Sequence, residues 1–226
     1  MKVIGHRGAA GLAPENTIPS FRLARELGVD AVECDVRMTR DRHTVLLHDA
    51  TVDRTTNGKG RLADLTMADV SHLECQDGVH LATLDELLAL SGGTLPVVIE
   101  LKEDAAVEPT VRQVLERDLL ASTTFISFEL ARLVEVRRLA PAAVTGALFM
   151  RAGEDEIHTT REVGAQILDT HFGSLSPELV REAHRLALAV WIWTVNETSE
   201  LRHMQEQEPD GITTDRPDRL ISLLGR

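Results

Sequence analysis

The chain has little that would let it bind nucleic acid. Its 226 residues include 36 acidic but only 24 basic side chains, a formal net charge of -12. Affinity for nucleic acid depends mainly on Lys and Arg side chains that neutralise phosphates. Aromatic residues are also scarce, with two Trp, five Phe and no Tyr, so few side chains could stack against bases. We therefore expect no nucleic-acid partner.

Cysteine and long apolar segments are equally scarce. Cys34 and Cys75 are the only cysteines and form no CxxC pair, so we expect two free thiols and no zinc site. The longest apolar stretches, such as LPVVIEL, have the length of a strand and are too short to cross a bilayer as a helix. Residues 1–10 lack the apolar region of a secretory signal. These absences predict a cytoplasmic protein without stable membrane insertion.

Short β-branched apolar runs alternate with longer segments of helical periodicity along the chain. The predicted helices cover residues 17–28, 83–92, 108–120, 130–140, 154–165, 176–188 and 198–208, and several begin and end with capping residues. The predicted strands are VIGH (3–6), AVECDV (31–36), TVLLHD (44–49), PVVIELK (96–102), TFISF (124–128), VTGALF (144–149), QILDT (166–170), VWIWTV (190–195) and GITTD (211–215).

Nine strands are one more than an eightfold (β/α) barrel contains. Parallel neighbours need a crossover of a dozen or more residues, and only residues 37–43 separate the second run from the third. We predict an antiparallel hairpin for these two and a TIM barrel for the other eight strands, each followed by a helix. A doubly wound open sheet is the alternative, but GxGxxG and P-loop motifs are both missing. No Gly/Ser linker interrupts the chain, so residues 1–226 are interpreted as one domain.

Residues 50–83 interrupt the alternation of strands and helices. TTNGKG (55–60) is rich in turn formers, and LADLTMADVSHL (62–73) is predicted to form one weak helix. A long insertion on the catalytic rim of a barrel is typical of a lid or a specificity loop. We expect this insertion to lie on that rim.

Two predicted strands carry acidic side chains that could hold a metal ion. Glu33 and Asp35 are two residues apart and point to one face of their strand, whereas Cys34 points towards the helices. Unpaired carboxylates on a buried face are too costly unless a cation accompanies them. Glu100 and Lys102 end a second strand and again share one face. Hard oxygen ligands predict a divalent cation, Mg²⁺ or Ca²⁺, at these strand ends.

Two histidines are expected beside this metal site. A hairpin turn within residues 40–43 would pair Thr44 with Thr39 and place His48 opposite Asp35. His6 ends the first strand and so lies on the same rim of the barrel. Imidazole gains and loses a proton near neutral pH, so the two can form a general acid/base pair.

Positive side chains on the same rim indicate an anionic substrate. Arg7 and Lys102, together with a metal ion, suit a small-molecule phosphodiester. Each has a simpler interpretation: Arg7 could neutralise a nearby acid, and Lys102 could pair with Glu100. Trp191 and Trp193 share one strand face, so both could belong to the barrel core.

The order of the motifs resembles one known family over essentially the whole chain. HRG, PENT, ECDV, VLLHD, ELK, WTVN and DGITTD-x-P follow one another as in the glycerophosphodiester phosphodiesterases. The resemblance implies a TIM barrel that hydrolyses glycerophosphodiesters to an alcohol and glycerol 3-phosphate with a divalent cation. It also implies residue roles: His6 and His48 as the acid/base pair, Glu33, Asp35 and Glu100 as metal ligands, Arg7 and Lys102 on phosphate, and Trp193 near the substrate.

The implied mechanism has two steps, and which histidine acts first as the base stays open. The neighbouring glycerol hydroxyl attacks phosphorus, one histidine protonates the departing alcohol, and water then opens the cyclic phosphate. Three alternatives remain: a diesterase acting on lysophospholipids or phosphoinositol-like head groups, a non-catalytic binding barrel, and a sugar-phosphate isomerase. The chain departs from the family pattern in SFE, where SFD or SFN is usual, and in an insertion on the short side. The short insertion leaves the head-group preference open.

Overall fold

The computed structural model describes residues 1–226 and contains a closed barrel. The strands are β1 (Lys2–Gly5), β2 (Ala31–Met38), β3 (Thr44–Leu46), β4 (Val97–Leu101), β5 (Thr123–Ser127), β6 (Val144–Phe149), β7 (Ile167–His171), β8 (Ala189–Trp193) and β9 (Gly211–Thr214). Eight of them run parallel and form the ring, which closes because β1 pairs with both β9 and β2. β3 pairs antiparallel with the last residues of β2. The predicted TIM barrel is therefore confirmed.

Helices follow the parallel strands, and each of the seven predicted helices is present. The barrel pattern also places a helix after the last strand, and the structure has one there, although its bounds are not among the predicted ranges. None of the helices combines the length and the hydrophobicity needed to span a lipid bilayer. The helices are α1 (Ile18–Leu27), α2 (Met67–Val70), α3 (Leu84–Ser91), α4 (Val107–Glu116), α5 (Leu130–Leu139), α6 (Glu154–Glu162), α7 (Pro177–Arg185), α8 (Thr198–Gln205) and α9 (Pro217–Leu223).

The barrel buries apolar side chains both inside and outside its sheet. The interior layer is small and includes Ile4, Val98, Ile126, Ile167 and Trp191. Larger clusters fill the space between the strands and the surrounding helices, and Cys34 lies in one of them, as its position on the strand predicts. The interior layer closes the barrel beneath the carboxyl ends of the strands, so it forms the floor of any site there.

The hairpin of β2 and β3 is confirmed, but its predicted register is wrong by one residue. Met38, not Thr39, pairs with Thr44, and β3 ends at Leu46. His48 therefore lies beyond the ladder and is not cross-strand partner to Asp35. The Arg37 guanidinium donates two hydrogen bonds, of 2.9 and 2.8 Å, to the His48 carbonyl and holds this segment against β2.

The insertion, residues 50–83, packs on a small apolar core of its own that includes Val45, Val52, Leu62 and Val70. The single helix predicted for residues 62–73 is wrong. A 3₁₀ turn (Leu62–Asp64) and the short helix α2 replace it, because Thr66 forms a capping box that starts a new helix. A groove of about 650 Å³ separates the insertion from the loop after β1, which places the insertion on the catalytic rim.

The turn after β1 depends on Gly8. Its φ of 91° lies in the left-handed region, and a Cβ there would come within 2.7 Å of the backbone carbon of Ser20. The Ser20 hydroxyl holds this turn, since it accepts from the Ala9 amide at 2.8 Å and donates to the Arg7 carbonyl at 3.0 Å. An added methyl group would therefore strain both the turn and the start of α1.

We expect Gly8→Ala to lower the free energy of unfolding by at least about 2 kcal/mol, from backbone strain and overpacking together. Gly28→Ala is the matched control, because Gly28 also has a positive φ, 88°, but a Cβ there meets nothing within 4 Å. Strain alone should cost that variant about 1 kcal/mol. Denaturant unfolding of both proteins measures the difference, and equal losses would contradict the predicted clash.

Candidate active site

A cavity of about 110 Å³ lies at the carboxyl ends of the barrel strands. Parallel strands all present these ends to one rim, so residues distant in sequence meet there. Asp35 lies just beneath the cavity, fully buried. The other residues predicted for the site all line it: His6, Arg7, Glu33, His48, Glu100, Lys102 and Trp193.

Three carboxylates from two neighbouring strands form a compact cluster. Glu33 and Asp35 lie on β2 and Glu100 on β4, where Asp35 and Glu100 are cross-strand partners. One oxygen from each lies within 4.8 Å of the other two. All three residues are buried. Three buried carboxylate oxygens this close together suit a hard divalent cation.

The pKa values of the three carboxyls differ because their charged neighbours differ. Burial, reinforced by the charges of Asp35 and Glu100, raises the pKa of Glu33 well above its usual range. Burial and the Asp35 charge raise the pKa of Glu100 to about 7. Burial also acts on Asp35, but the Lys102 and Arg7 cations outweigh it and lower the pKa of that carboxyl. Glu33 and Glu100 therefore hold a proton more tightly than a free carboxyl does, whereas Asp35 is stabilised as the anion.

Arg7 and Lys102 are the cations of the cluster. Lys102 Nζ lies 2.6 Å from Glu100 Oε1 and 3.0 Å from Asp35 Oδ1, and Arg7 Nε lies 3.1 Å from Asp35 Oδ2. The Arg7 amide also donates to Glu33 at 3.0 Å. The structure thus contains the contacts expected from the simpler interpretation of each side chain: Arg7 pairs with Asp35, and Lys102 pairs with Glu100.

Each of the two histidines has a carboxylate on its Nδ1 atom. His6 Nδ1 lies 2.6 Å from Asp215 Oδ1, and His48 Nδ1 lies 2.8 Å from Asp49 Oδ1. A ring that donates Nδ1–H to a carboxylate keeps Nε2 as the nitrogen that exchanges protons. His6 Nε2 lies 4.0 Å from Glu33 Oε2, at the edge of the carboxylate cluster.

The environment of His48 favours its neutral form. Burial lowers the pKa of His48, and the Lys102 and Arg7 charges lower it further, against the opposing effects of Asp35 and Asp49. Despite the register error, His48 lines the same cavity as Glu33 and Glu100. The hydrogen bonds from Arg37 to its carbonyl bring the segment after β3 back over the rim.

Several residues that hold the site in place were not predicted to be site residues. Asn16 of the PENT motif donates to Asp35 Oδ2 at 2.8 Å and accepts from the Asp35 amide at 3.2 Å, while Thr17 caps α1. Asn196 of WTVN donates to Asp215 at 2.6 Å and accepts from its amide at 2.8 Å. The PENT and WTVN motifs could have indicated these residues, because each motif contains an asparagine for which no contact in the site was predicted.

Arg54 of the insertion links the residues around His48 to those around Arg7. Its guanidinium lies 2.6 Å from Asp49 Oδ2 and donates to both oxygens of Glu15, at 2.7 and 2.8 Å. Glu15 in turn accepts from Arg7 at 2.8 Å. This chain of ion pairs connects the carboxylate beside His48 with the arginine of the carboxylate cluster.

Two aromatic side chains, Phe128 and Trp193, line the cavity, and His171 and Phe172 extend this aromatic cluster away from it. The Trp193 ring lies 5.6 Å from both Phe128 and His171, edge to face in each case, and His171 lies 4.5 Å from Phe172. Trp191, two residues earlier on β8, is buried in the interior layer. The two tryptophans therefore share a face but have different surroundings, and only Trp193 reaches the cavity.

Comparison with known proteins places this geometry in a family. The sequence model of the glycerophosphoryl diester phosphodiesterase family matches residues 6–219 of this chain. The chain belongs to this family. It is accordingly an enzyme, a phosphoric diester hydrolase of the glycerophosphodiester phosphodiesterase class.

Individual relatives resemble this chain in both sequence and structure. A glycerophosphodiester phosphodiesterase of Caldanaerobacter subterraneus is 33% identical, over 98% of this chain and 97% of the relative. A solved phosphodiesterase of Oleispira antarctica, in complex with the product sn-glycerol-3-phosphate, is 25% identical with a TM-score of 0.92 and covers 100% of this chain and 97% of its own. A solved glycerophosphodiester phosphodiesterase of Agrobacterium tumefaciens is 25% identical with a TM-score of 0.89, over 98% and 99% of the two chains.

Proposed function

We propose that this protein hydrolyses glycerophosphodiesters to an alcohol and sn-glycerol 3-phosphate, with His6 and His48 as the acid/base pair. The observation that carries the proposal is the convergence of two carboxylate-oriented histidines on one small cavity beside three buried carboxylates. Residues 1–226 are proposed to act as one catalytic domain, since the family match spans nearly the whole chain.

Charge balance supports a divalent cation, Mg²⁺ or Ca²⁺, held by Glu33, Asp35 and Glu100. Metal ligation requires all three carboxyls to be ionised, and the two cations that pair with them, Arg7 and Lys102, then leave one negative charge in excess. A divalent ion would convert this into one positive charge, which a phosphodiester monoanion neutralises. A bound cation would polarise the phosphoryl oxygens and favour ionisation of an attacking hydroxyl.

The histidines then move protons in two steps. In the first, one imidazole takes the proton of the glycerol C2 hydroxyl as its oxygen attacks phosphorus, and the other gives a proton to the departing alcohol. A five-membered cyclic phosphate forms and the bond to the head group breaks. In the second, the imidazole that gave its proton takes one from water, whose oxygen attacks phosphorus. The bond between phosphorus and the C2 oxygen breaks as the other imidazole returns its proton to that oxygen, which restores both rings.

The surroundings of the cavity suggest where the two halves of the substrate lie. The cavity of about 110 Å³ has room for a small polyol. The groove of about 650 Å³ beside it is lined by the loop after β1 and by the insertion, including Glu15 and Arg54. We assign the glycerol phosphate to the cavity and the alcohol head group to the groove, where exposed polar residues tolerate different head groups.

Assays of a panel of substrates with Mg²⁺, Ca²⁺ and Mn²⁺ in turn test this proposal. We expect release of sn-glycerol 3-phosphate from diesters of choline, ethanolamine and glycerol, at rates within about tenfold of each other, because the head group lies in the open groove. Enzymatic detection of glycerol 3-phosphate measures the product directly. Faster turnover of lysophospholipids than of every glycerophosphodiester would favour the alternative substrate class, and no turnover of either would refute the proposal.

A further inference from the structure

Asp169 is a buried carboxyl that none of the steps above uses. It lies on β7, which is diametrically opposite β2 in the ring of eight strands. Its side chain is 2% exposed and lines the cavity, yet Oδ1 has no hydrogen-bond partner. Its cross-strand neighbours are Leu148 and Trp191, both apolar and buried.

A buried carboxyl without a hydrogen-bond partner destabilises the fold unless a ligand supplies that partner. Burying a polar group without a hydrogen bond destabilises a fold, and nearly all buried polar atoms are paired for this reason. Burial, reinforced by the negative charge of Glu100, raises the pKa of Asp169 well above its usual range. A protonated carboxyl is neutral and can both donate and accept a hydrogen bond, so a hydroxyl group is its natural partner.

A second unpartnered polar atom faces the same cavity. The indole Nε1 of Trp193 is buried and has no hydrogen-bond partner. It is a donor only, so it needs an oxygen. Asp169 and Trp193 come from the adjacent strands β7 and β8, whereas the carboxylate cluster lies on β2 and β4. The cavity thus has a charged side for the phosphate and a neutral side for a hydroxyl.

We propose that Asp169 and Trp193 Nε1 bind the free terminal hydroxyl of the glycerol moiety and select substrates in which this hydroxyl is unesterified. The inference rests on the proposed function. With phosphate on C3 and the C2 hydroxyl engaged as nucleophile, only the C1 hydroxyl of glycerol remains without a partner. It alone can reach the far side of the cavity while phosphorus stays at the carboxylate cluster.

The floor of the cavity supports the same selection. Beneath Asp169 the barrel is filled by the interior layer, which includes Ile126, Ile167 and Trp191. An acyl chain on the C1 oxygen would remove the hydroxyl hydrogen and would have to pass through this packed layer. A lysophospholipid esterified at C1 is therefore excluded sterically as well as by the loss of a hydrogen bond.

Two substrates that differ by one hydroxyl test the proposal. Glycerophosphocholine and the choline diester of 2-hydroxypropyl phosphate share the leaving alcohol and the attacking C2 hydroxyl, but only the first has a C1 hydroxyl. We expect the wild-type enzyme to prefer glycerophosphocholine by about 10- to 100-fold in kcat/KM, since the second leaves a buried polar pair unmatched. Asp169→Leu should bring the preference close to one, and Trp193→Phe should lower it several-fold.

The outcomes separate this inference from the proposed function. Wild-type turnover of neither diester would refute the function and the inference together, whereas equal turnover of both would refute the inference alone. A folded Asp169→Leu enzyme that keeps the wild-type preference also overturns it. If that variant does not fold, as judged by its thermal melt, an unchanged preference in Trp193→Phe does so. Asp155→Asn, on the exposed surface of α6, is the control and should keep the wild-type preference.

Discussion

Alanine in place of His6 or His48 is expected to lower kcat for glycerophosphodiester hydrolysis by about 100- to 10,000-fold. Each ring has one nitrogen engaged by a carboxylate, Asp215 or Asp49, and the other free to exchange a proton. Both steps of the proposed reaction need one imidazole that takes a proton and one that gives it. Loss of either ring therefore impairs both steps.

The measurement is steady-state kinetics together with thermal unfolding of each variant. KM should change much less than kcat, because binding of the phosphate is assigned to Arg7, Lys102 and the cation. The matched control is His158→Ala, since His158 is exposed on α6. We expect that variant to keep wild-type turnover. Near-normal rates for folded His6→Ala or His48→Ala would exclude the affected histidine from the acid/base pair.

Removal of divalent metal is the second change with a large expected effect. Chelation should lower turnover at least about 100-fold, and adding back Mg²⁺ or Ca²⁺ should restore it. Glu33→Gln and Glu100→Gln should have similar effects that added metal does not reverse. Each variant removes one of the three carboxylates whose oxygens lie within 4.8 Å of one another.

Thermal unfolding provides a readout of metal binding that does not depend on activity. A cation at about 100 times its Kd stabilises a protein by about 2.7 kcal/mol, which is about 5–10 °C in Tm for a chain of this size. Because a carboxyl must lose its proton to ligate a cation, this shift should shrink as pH falls through about 7, the pKa of Glu100. Glu154→Gln, at an exposed position, is the control. A chelator-resistant enzyme with no metal-dependent Tm shift would contradict the metal site.

The barrel could be predicted from the sequence because its signals are local. Alternating apolar runs and capped helical segments follow one another along the chain, and a seven-residue gap can only join β2 and β3 as an antiparallel pair. The failures were also local. A one-residue shift in the hairpin changes the partner of every residue, and loop length alone does not select one register over the other. Thr66 starts a new helix, whereas the periodicity of the apolar residues had predicted one continuous helix over residues 62–73.

The residues predicted for the site could be placed together because they end parallel strands, and such ends meet at one rim. Sequence spacing placed Glu33 and Asp35 on the same face of β2 and Cys34 on the other, and the order of the motifs indicated the family. These conclusions needed only strand periodicity, topology and the residue types. The sequence by itself thus determined the fold, the enzyme class and the charged side of the cavity.

Only the tertiary structure decided which residues hold the charged groups in place and which remain unpaired. Asp215 meets His6 across 209 positions of chain, and Asn196 reaches Asp215 from the end of another strand. Asp169 Oδ1 is buried without a hydrogen-bond partner, and no sequence pattern shows that a buried atom lacks one. The reason is physical: hydrogen bonds and burial depend on distances of a few ångströms between residues remote in sequence. Those distances exist only once the barrel has closed.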